Sequence, residues 1–181
     1  RMSGIATLTK KYSALLEGYH TKILDTRKTT PNFRLLEKEA VRIGGGVNHR
    51  YALYDMIMLK DNHIDYCGGI EAAINKTYAY SQSLETPLKI EVETRSLADV
   101  TLVCKIAKGK VFRIMLDNFN PDLVAQAVKL IDGAFETEAS GGINVANIQA
   151  YAATGVDYVS VGALIHQAQS LDLSLKAVLI K

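Results

Sequence analysis

The 181-residue chain has few cysteines, little net charge and no long apolar run. Cys67 and Cys104 cannot form a disulfide framework and lack the spacing of metal ligands, so we expect structural thiols and a cytoplasmic location. A net charge of +2 gives no indication of nucleic acid or an anionic membrane as partner. No stretch approaches the roughly 18–20 apolar residues of a membrane span, and the first residues do not form a signal peptide.

Familiar nucleotide-binding and nucleophile motifs are also missing from the sequence. The glycine segment at 44–46 is neither a Walker A loop nor a dinucleotide fingerprint. No Ser-His-Asp or Cys-His arrangement is legible. The chain is nevertheless long enough for one domain with a substantial core.

A short β-rich run that ends in polar or glycine residues recurs along the chain, and a helical pattern follows it. Alternation of this kind predicts a parallel sheet, and the even spacing favours a TIM-like α/β barrel of about six strand–helix units. An open, doubly wound sheet is the alternative. The runs cover residues 22–28, 56–63, 88–94, 111–118, 134–142 and 157–163.

Capping signals support the predicted helices. Ser96 with Asp99 forms a capping box, and Asn120 precedes Pro121 as an N-cap precedes a first-turn proline. A third helix is predicted over residues 144–155, which open with asparagine and close with glycine.

Functional groups gather at the carboxyl ends of the strands in such barrels, and the six predicted strand ends differ in chemistry. The first two are cationic, the next two are acidic and the last two are rich in small residues. This segregation predicts a site for an anionic molecule with separate parts. The residues concerned are Thr26, Arg27, Lys28 and Lys60, then Glu93 and Asp117, then Ser140, Gly141, Gly142 and Gly162.

A further cationic segment lies between the first two runs. Gly44, Gly45 and Gly46 allow either a tight turn or close approach to a ligand, and His49 and Arg50 follow them. Arginine forks match carboxylates and phosphates, so the combined cations predict a strongly negative ligand. Carboxylates on neighbouring strands could hold Mg²⁺ or sugar hydroxyls.

Seven blocks in order along almost the whole chain carry a resemblance to a known family. They are SGIATLT, LDTRKTTPNFR, GGGVNHRYALYDMIMLKDNH, IEVET, LDNF, EASGGI and SVGALIH. Together they resemble the nicotinate-nucleotide pyrophosphorylases (carboxylating), also called quinolinate phosphoribosyltransferases. The resemblance implies that quinolinate and phosphoribosyl pyrophosphate give nicotinate mononucleotide, pyrophosphate and CO₂, with Mg²⁺, in de novo NAD synthesis.

The resemblance also implies roles for the strand-end residues. Quinolinate would bind Thr26, Arg27, Lys28, His49, Arg50 and Lys60. Phosphoribosyl pyrophosphate would bind Glu93, Asp117, Ser140, Gly141, Gly142, Gly162 and His166. The implied catalytic residues are Lys28, Lys60, Glu93 and Asp117, and Mg²⁺ would bind through the substrate, with Glu93 and Asp117 as possible ligands.

Family members carry an N-terminal domain before the barrel, and we expect that this chain lacks it. We interpret residues 1–170 as the barrel, with an entry helix over residues 1–20. Residues 171–181 would pack on the missing domain, and the alternation of Leu171, Leu173 and Leu175 predicts an unpaired strand. Family subunits pair, so we expect a homodimer for the full-length protein and weak or no activity for this chain alone.

Two alternatives stay open. A nicotinate-using or related paralogue would need fewer cations, because nicotinate has one carboxylate. A non-catalytic metabolite-binding barrel would need neither Glu93 nor Asp117.

Overall fold

The computed structural model describes residues 1–179, in which helices and strands alternate as the sequence predicts. The six strands are β1 Lys22–Leu24, β2 Ile57–Leu59, β3 Ile90–Thr94, β4 Arg113–Asp117, β5 Glu136–Ser140 and β6 Tyr158–Ser160. The eight helices are α1 Met2–Leu15, α2 Arg34–Ile43, α3 Asp61–Tyr66, α4 Ile70–Gln82, α5 Leu97–Ile106, α6 Pro121–Ile131, α7 Ile148–Ala152 and α8 Ala163–His166. Each strand lies within one of the six predicted runs.

The strand order distinguishes a barrel from the doubly wound alternative. All neighbours are parallel, and the order is β1-β6-β5-β4-β3-β2. This is a cyclic order interrupted between β1 and β2, whereas a doubly wound sheet reverses its winding at an internal strand. Beyond β1, Val47 forms a parallel bridge with Leu24. The α/β barrel architecture predicted from the sequence is confirmed.

The two faces of the sheet differ in chemistry. Ile90, Val92 and Ile114 belong to the apolar core that packs under the helices. Residues alternate across a strand, so the intervening positions point into the barrel. There the strands carry buried charge at Glu91 and Glu138. The strands of the sheet therefore have one apolar and one polar buried face.

Arg113 occupies the amino-terminal end of the barrel interior. Its guanidinium donates to Glu136 at 2.8 Å and to Glu138 at 3.0 Å, and it lies 4.2 Å from the centre of the Tyr158 ring. All three partners lie on neighbouring strands. The predicted site lies at the opposite end, where the strands terminate.

Two of the predicted caps are present. Ser96 accepts the Asp99 N–H at 3.1 Å, while the Asp99 carboxylate accepts from the preceding Arg95 N–H at 3.0 Å. Asn120 accepts the Leu123 N–H at 2.9 Å. The helix predicted over residues 144–155 is shorter: an asparagine turn occupies residues 144–147, and α7 ends at Ala152.

The chain after α8 has no strand within the described residues. Leu171, Leu173 and Leu175 are 45%, 71% and 101% exposed, and the segment pairs with no strand among residues 1–179, so the strand expected to pack on another domain stays a prediction. Residues 180 and 181 of the predicted C-terminal segment lie outside the described residues. Among residues 1–179, no helix is long and apolar enough to cross a membrane.

Candidate active site

A polar cavity of about 490 Å³ opens at the carboxyl end of the sheet, between the ends of β1, β4, β5 and β6. Eight of the predicted site residues line it: Thr26, Lys28, Asp117, Ser140, Gly141, Gly142, Gly162 and His166. Residues that are 130 or more positions apart in the sequence therefore meet at one edge, because parallel strands end together.

The loop after β5 needs glycine where it meets β4. Gly141 has φ +96°, and a Cβ there would lie 2.2 Å from Asn118 Oδ1 and 3.0 Å from Asn118 Cα. Asn118 itself has φ +57°, and its amide donates to Asp117 Oδ2 at 2.7 Å. Gly141 and Asn118 thus bring two loops into direct contact at the cavity wall. The sequence had not singled out Asn118.

The loop after β6 lies between β1 and His166. A Cβ on Gly162 would lie 3.1 Å from His166 Nε2 and 3.6 Å from Thr26 Oγ1. Thr26 Oγ1 also accepts the Lys28 N–H at 3.1 Å, which fixes the turn after β1. The hydroxyl, the imidazole and the glycine therefore share one corner of the cavity.

Arg27 and Arg50, the two arginines predicted to bind quinolinate, repel each other. Burial lowers the pKa of Arg50, and the charge of Arg27 lowers it further. The Arg50 guanidinium donates to the Met56 carbonyl at 3.0 Å. Arg27 Nε is buried and has no hydrogen-bond partner among the described residues. This partly desolvated pair of like charges would be stabilised by a bound anion.

Lys60 and Glu93 form an ion pair at the ends of β2 and β3. Lys60 Nζ lies 3.1 Å from Glu93 Oε2, and the glutamate side chain is only 8% exposed. The paired lysine is half exposed and can also contact a ligand. The ion pair with Lys60 is also the simplest structural explanation for a glutamate at position 93.

His49 is held at both ring nitrogens. The Arg50 N–H donates to its Nδ1 at 2.7 Å, and its Nε2 lies 3.1 Å from Glu91 and 3.3 Å from Glu138. Burial opposes the imidazolium, but hydrogen bonds and charge from Glu138 and Glu91 outweigh it and raise the pKa of His49 to about 9. Both ring nitrogens therefore face groups of the protein.

The contact at Nδ1 decides which tautomer fits the structure. An imidazolium would carry a proton on Nδ1, opposite the Arg50 N–H, so this contact requires a lone pair on Nδ1 and a proton on Nε2. Burial and the charge of Glu138 raise the pKa of Glu91 to about 7, so Glu91 can hold the proton that His49 does not carry. The short Nδ1 contact therefore favours neutral His49, against the raised pKa that the two carboxylates give it.

The same tautomer bears on metal binding in the barrel interior. Atoms of His49, Glu91 and Glu138 lie within 4.8 Å of one another, as metal ligands can. A metal ion at Nε2 would have to displace its proton. Nε2 and three of the four carboxylate oxygens of Glu91 and Glu138 make no hydrogen bond among the described residues, so the cluster is a buried polar site without satisfied partners. At the cavity edge, carboxylate oxygens such as those of Asp117 fit a hard cation such as Mg²⁺ better.

The triple glycine packs against α1. A Cβ on Gly44 would lie 2.5 Å from the Ala6 carbonyl oxygen, and one on Gly46 would lie 2.7 Å from Val41 Cγ1. Gly45 has φ +90°. Of the two roles that the sequence left open, the tight turn is therefore the one observed.

Comparison with known proteins now identifies the family. The family model described as "Quinolinate phosphoribosyl transferase, C-terminal domain" matches residues 5–176. The chain belongs to this family. The resemblance inferred from the seven sequence blocks is thereby confirmed.

Relatives of known name agree with this membership of the quinolinate phosphoribosyl transferase family. Quinolinate phosphoribosyltransferase [decarboxylating] 1b of Nicotiana tabacum is 47% identical over 97% of this chain and 53% of its own length. The probable nicotinate-nucleotide pyrophosphorylase [carboxylating] of Bacillus subtilis is 46% identical over 99% of this chain and 60% of its own. The chain spans a little over half the length of these relatives.

A solved structure of the quinolinate phosphoribosyl transferase family supports the fold. NadC from Streptococcus pyogenes superposes with a TM-score of 0.90 at 45% identity, over 97% of this chain and 60% of that one. At this similarity the C-terminal barrel domain of the family and the present chain share one architecture.

Proposed function

We propose that this chain is the catalytic barrel of a quinolinate phosphoribosyltransferase. The observation that carries the proposal is the partly buried, mutually repelling pair Arg27 and Arg50. Arg27 lies between Thr26 and Lys28, which both line the polar cavity. Quinolinate has two adjacent carboxylates on a planar ring, and forked guanidinium groups suit such a ligand. A neutral or singly charged ligand would relieve less of the repulsion.

The cavity provides a separate place for the phosphoribosyl donor. Ser140, Gly141 and Gly142 supply backbone N–H groups and a hydroxyl along one wall, and His166 lies on the other. These groups suit a phosphate, while Asp117 suits ribose hydroxyls. Lys28 lines the same cavity and follows Arg27 in the sequence, so it could contact either substrate.

The proposed reaction needs no covalent bond to the protein. Arg27, Arg50 and Lys60 orient quinolinate so that its ring nitrogen faces the ribose C1′, which lowers the entropic cost of encounter. The nitrogen lone pair forms the N–C1′ bond as the C1′–oxygen bond breaks, and pyrophosphate leaves with that electron pair. The carboxylate beside the nitrogen then leaves as CO₂, its electrons pass to the pyridinium ring, and a proton replaces it.

Mg²⁺ is proposed as the cofactor because the donors at the cavity edge are hard oxygens. Asp117 and Glu93 are the residues that would hold it, Glu93 after partial release from Lys60. When bound, the ion would neutralise the developing charge on pyrophosphate. Of the chain's own lysines and arginines, Lys28 lines the cavity and would share that role.

Quaternary structure and compartment remain predictions for the full-length protein. The exposed side chains of Leu173, Leu175 and Val178 are an apolar surface that a further domain or a second subunit could cover. Relatives differ in compartment: one from Nicotiana tabacum is named mitochondrial and one from Arabidopsis thaliana chloroplastic. The cytoplasmic location inferred from cysteine usage therefore stays a prediction.

Competition between two pyridine carboxylates tests the proposed substrate. Isothermal titration of the chain with quinolinate and with nicotinate should give clearly tighter binding of quinolinate, because its second carboxylate meets a second arginine. Equal affinities would favour the nicotinate-using alternative. Binding of both without turnover by the full-length protein would favour a non-catalytic barrel.

A further inference from the structure

A buried ion pair lies where the two cationic segments of the site meet. Asp25 follows β1 directly and precedes Thr26 and Arg27. Its carboxylate is fully buried and accepts from Lys38 Nζ at 2.7 Å, and the Lys38 side chain on α2 is 3% exposed. Neither residue lines the cavity, so the pair lies behind the site.

The pair binds the backbone of the residue that precedes Arg50. The His49 N–H donates to Asp25 Oδ1 at 2.8 Å, and Lys38 Nζ donates to the His49 carbonyl at 3.0 Å. With its amide nitrogen facing these acceptors, Asn48 also donates to Asp25 Oδ2 and to the Lys38 carbonyl, each at 2.9 Å. One ion pair thus holds both backbone polar groups of His49.

The contacts fix the spacing between two parts of the chain. Val47 already pairs with β1, since its N–H donates to Ile23 and its carbonyl accepts from Asp25. Asp25 and Lys38 extend this pairing by one residue, up to the peptide that leads into Arg50. The distance between Arg27 and Arg50 therefore depends on these side chains rather than on a continuous strand.

Stability alone does not account for charge at this position. Burial raises the pKa of Asp25 and lowers that of Lys38, and their mutual attraction only partly offsets it. Replacing a buried ion pair by apolar residues of similar volume is often neutral or stabilising. An apolar pair, however, could not bind the N–H and the carbonyl of His49.

We infer that Asp25 and Lys38 are positioning residues that set the separation of Arg27 and Arg50, and with it the affinity for a planar dicarboxylate. The inference rests on the proposed function for its ligand. Its geometric part, the fixed backbone at His49, can be measured without any ligand.

The test compares two variants. Lys38→Met keeps a long, unbranched side chain and removes its charge, and Thr21→Val is the control. Thr21 donates a buried hydrogen bond to Val156 at 2.6 Å just before β1, at the other end of that strand, so it controls for a general loss of stability. Amide hydrogen exchange at His49 reports the backbone. Titrations with quinolinate and with phosphoribosyl pyrophosphate report the site.

Lys38→Met should speed hydrogen exchange of the His49 amide. It should also lower the affinity for quinolinate at least about tenfold and leave the affinity for phosphoribosyl pyrophosphate nearly unchanged. Thr21→Val should change neither the exchange rate of the His49 amide nor the affinity for quinolinate relative to that for the donor. Unchanged exchange and affinity, or equal loss for both ligands, would overturn the inference. If Lys38→Met does not fold, the double variant Asp25→Leu/Lys38→Met, which buries no charge at this position, gives the same measurements.

Failure of the proposed function gives a different result. A wild-type chain that binds no quinolinate would refute the proposed substrate. The exchange rates would then still decide whether Asp25 and Lys38 fix the backbone at His49.

Discussion

Arg50→Ala separates the two proposed substrates most sharply. In the free protein Arg50 is partly desolvated, it is repelled by Arg27, and it donates to the Met56 carbonyl. Removing it deletes a hydrogen bond and the attraction of Glu91 and Asp55, and it also deletes the repulsion from Arg27 and the cost of desolvating the guanidinium. We therefore expect the free energy of unfolding to change by no more than about 1 kcal/mol.

The effect on quinolinate should be much larger. A charge-assisted bidentate contact contributes roughly 2–4 kcal/mol, which corresponds to about 30- to 1000-fold in dissociation constant. The affinity for phosphoribosyl pyrophosphate should fall far less, because Arg50 does not line the cavity assigned to the donor. Isothermal titration with each ligand, on variant and wild type, measures both losses.

Arg95→Ala is a matched control for this prediction. Arg95 also follows a strand at the same edge of the sheet, but its guanidinium pairs with exposed Asp65 at 3.0 Å. Solvent screens such an exposed pair, so it contributes little, and its loss should change the affinity for neither ligand. Equal weakening of both ligands by Arg50→Ala would refute the reasoning and assign Arg50 to the donor.

Three further changes test other parts of the structure. Gly141→Ala should destabilise the protein by at least about 2 kcal/mol, because the cost of the strained backbone adds to the cost of the contact with Asn118. Gly18 has φ +90° and open space around it, so Gly18→Ala should cost only the backbone strain of about 1 kcal/mol. Thermal unfolding of both variants measures the difference, and equal losses would contradict it. Asn120→Ala should cost about 1 kcal/mol in denaturant unfolding through loss of an N-cap, with Asn120→Ser close to wild type. Asp117→Asn should weaken donor binding by roughly 1.5–3 kcal/mol in the presence of Mg²⁺ and leave quinolinate unaffected; weakening of quinolinate instead would exclude the assigned role.

The architecture could be predicted from the sequence because its signals are local. Each β-rich run ends at polar residues, and each strand lies inside a predicted run. What the sequence could not show is the polar inner face, since Glu91 and Arg113 read as single charges in apolar runs. Their partners come from other strands, as Arg113 with Glu138 does at 3.0 Å. The helix predicted over residues 144–155 begins late because Asn144 and Asn147 form a turn first.

The site could be predicted in composition but not in detail. The cavity brings together six of the seven residues expected for the donor, all but Glu93, and adds Thr26 and Lys28 from the quinolinate set, because strand ends of one sheet meet in space. That His49 binds quinolinate stays a prediction. Its ring nitrogens contact Arg50, Glu91 and Glu138, and no spacing rule could indicate those contacts. Asn118 lies at the end of the fourth run and in the LDNF block, but it was given no role, because a left-handed asparagine after a strand is not distinguishable from an ordinary turn residue.

Carbon dioxide release tests the central claim most directly. The full-length protein that carries this chain is incubated with phosphoribosyl pyrophosphate, Mg²⁺ and quinolinate labelled in the carboxylate beside the ring nitrogen. The proposed reaction predicts labelled CO₂, nicotinate mononucleotide and pyrophosphate in equal amounts, each dependent on both substrates. Pyrophosphate formed without labelled CO₂, or no product despite tight binding of both substrates, would contradict the proposal.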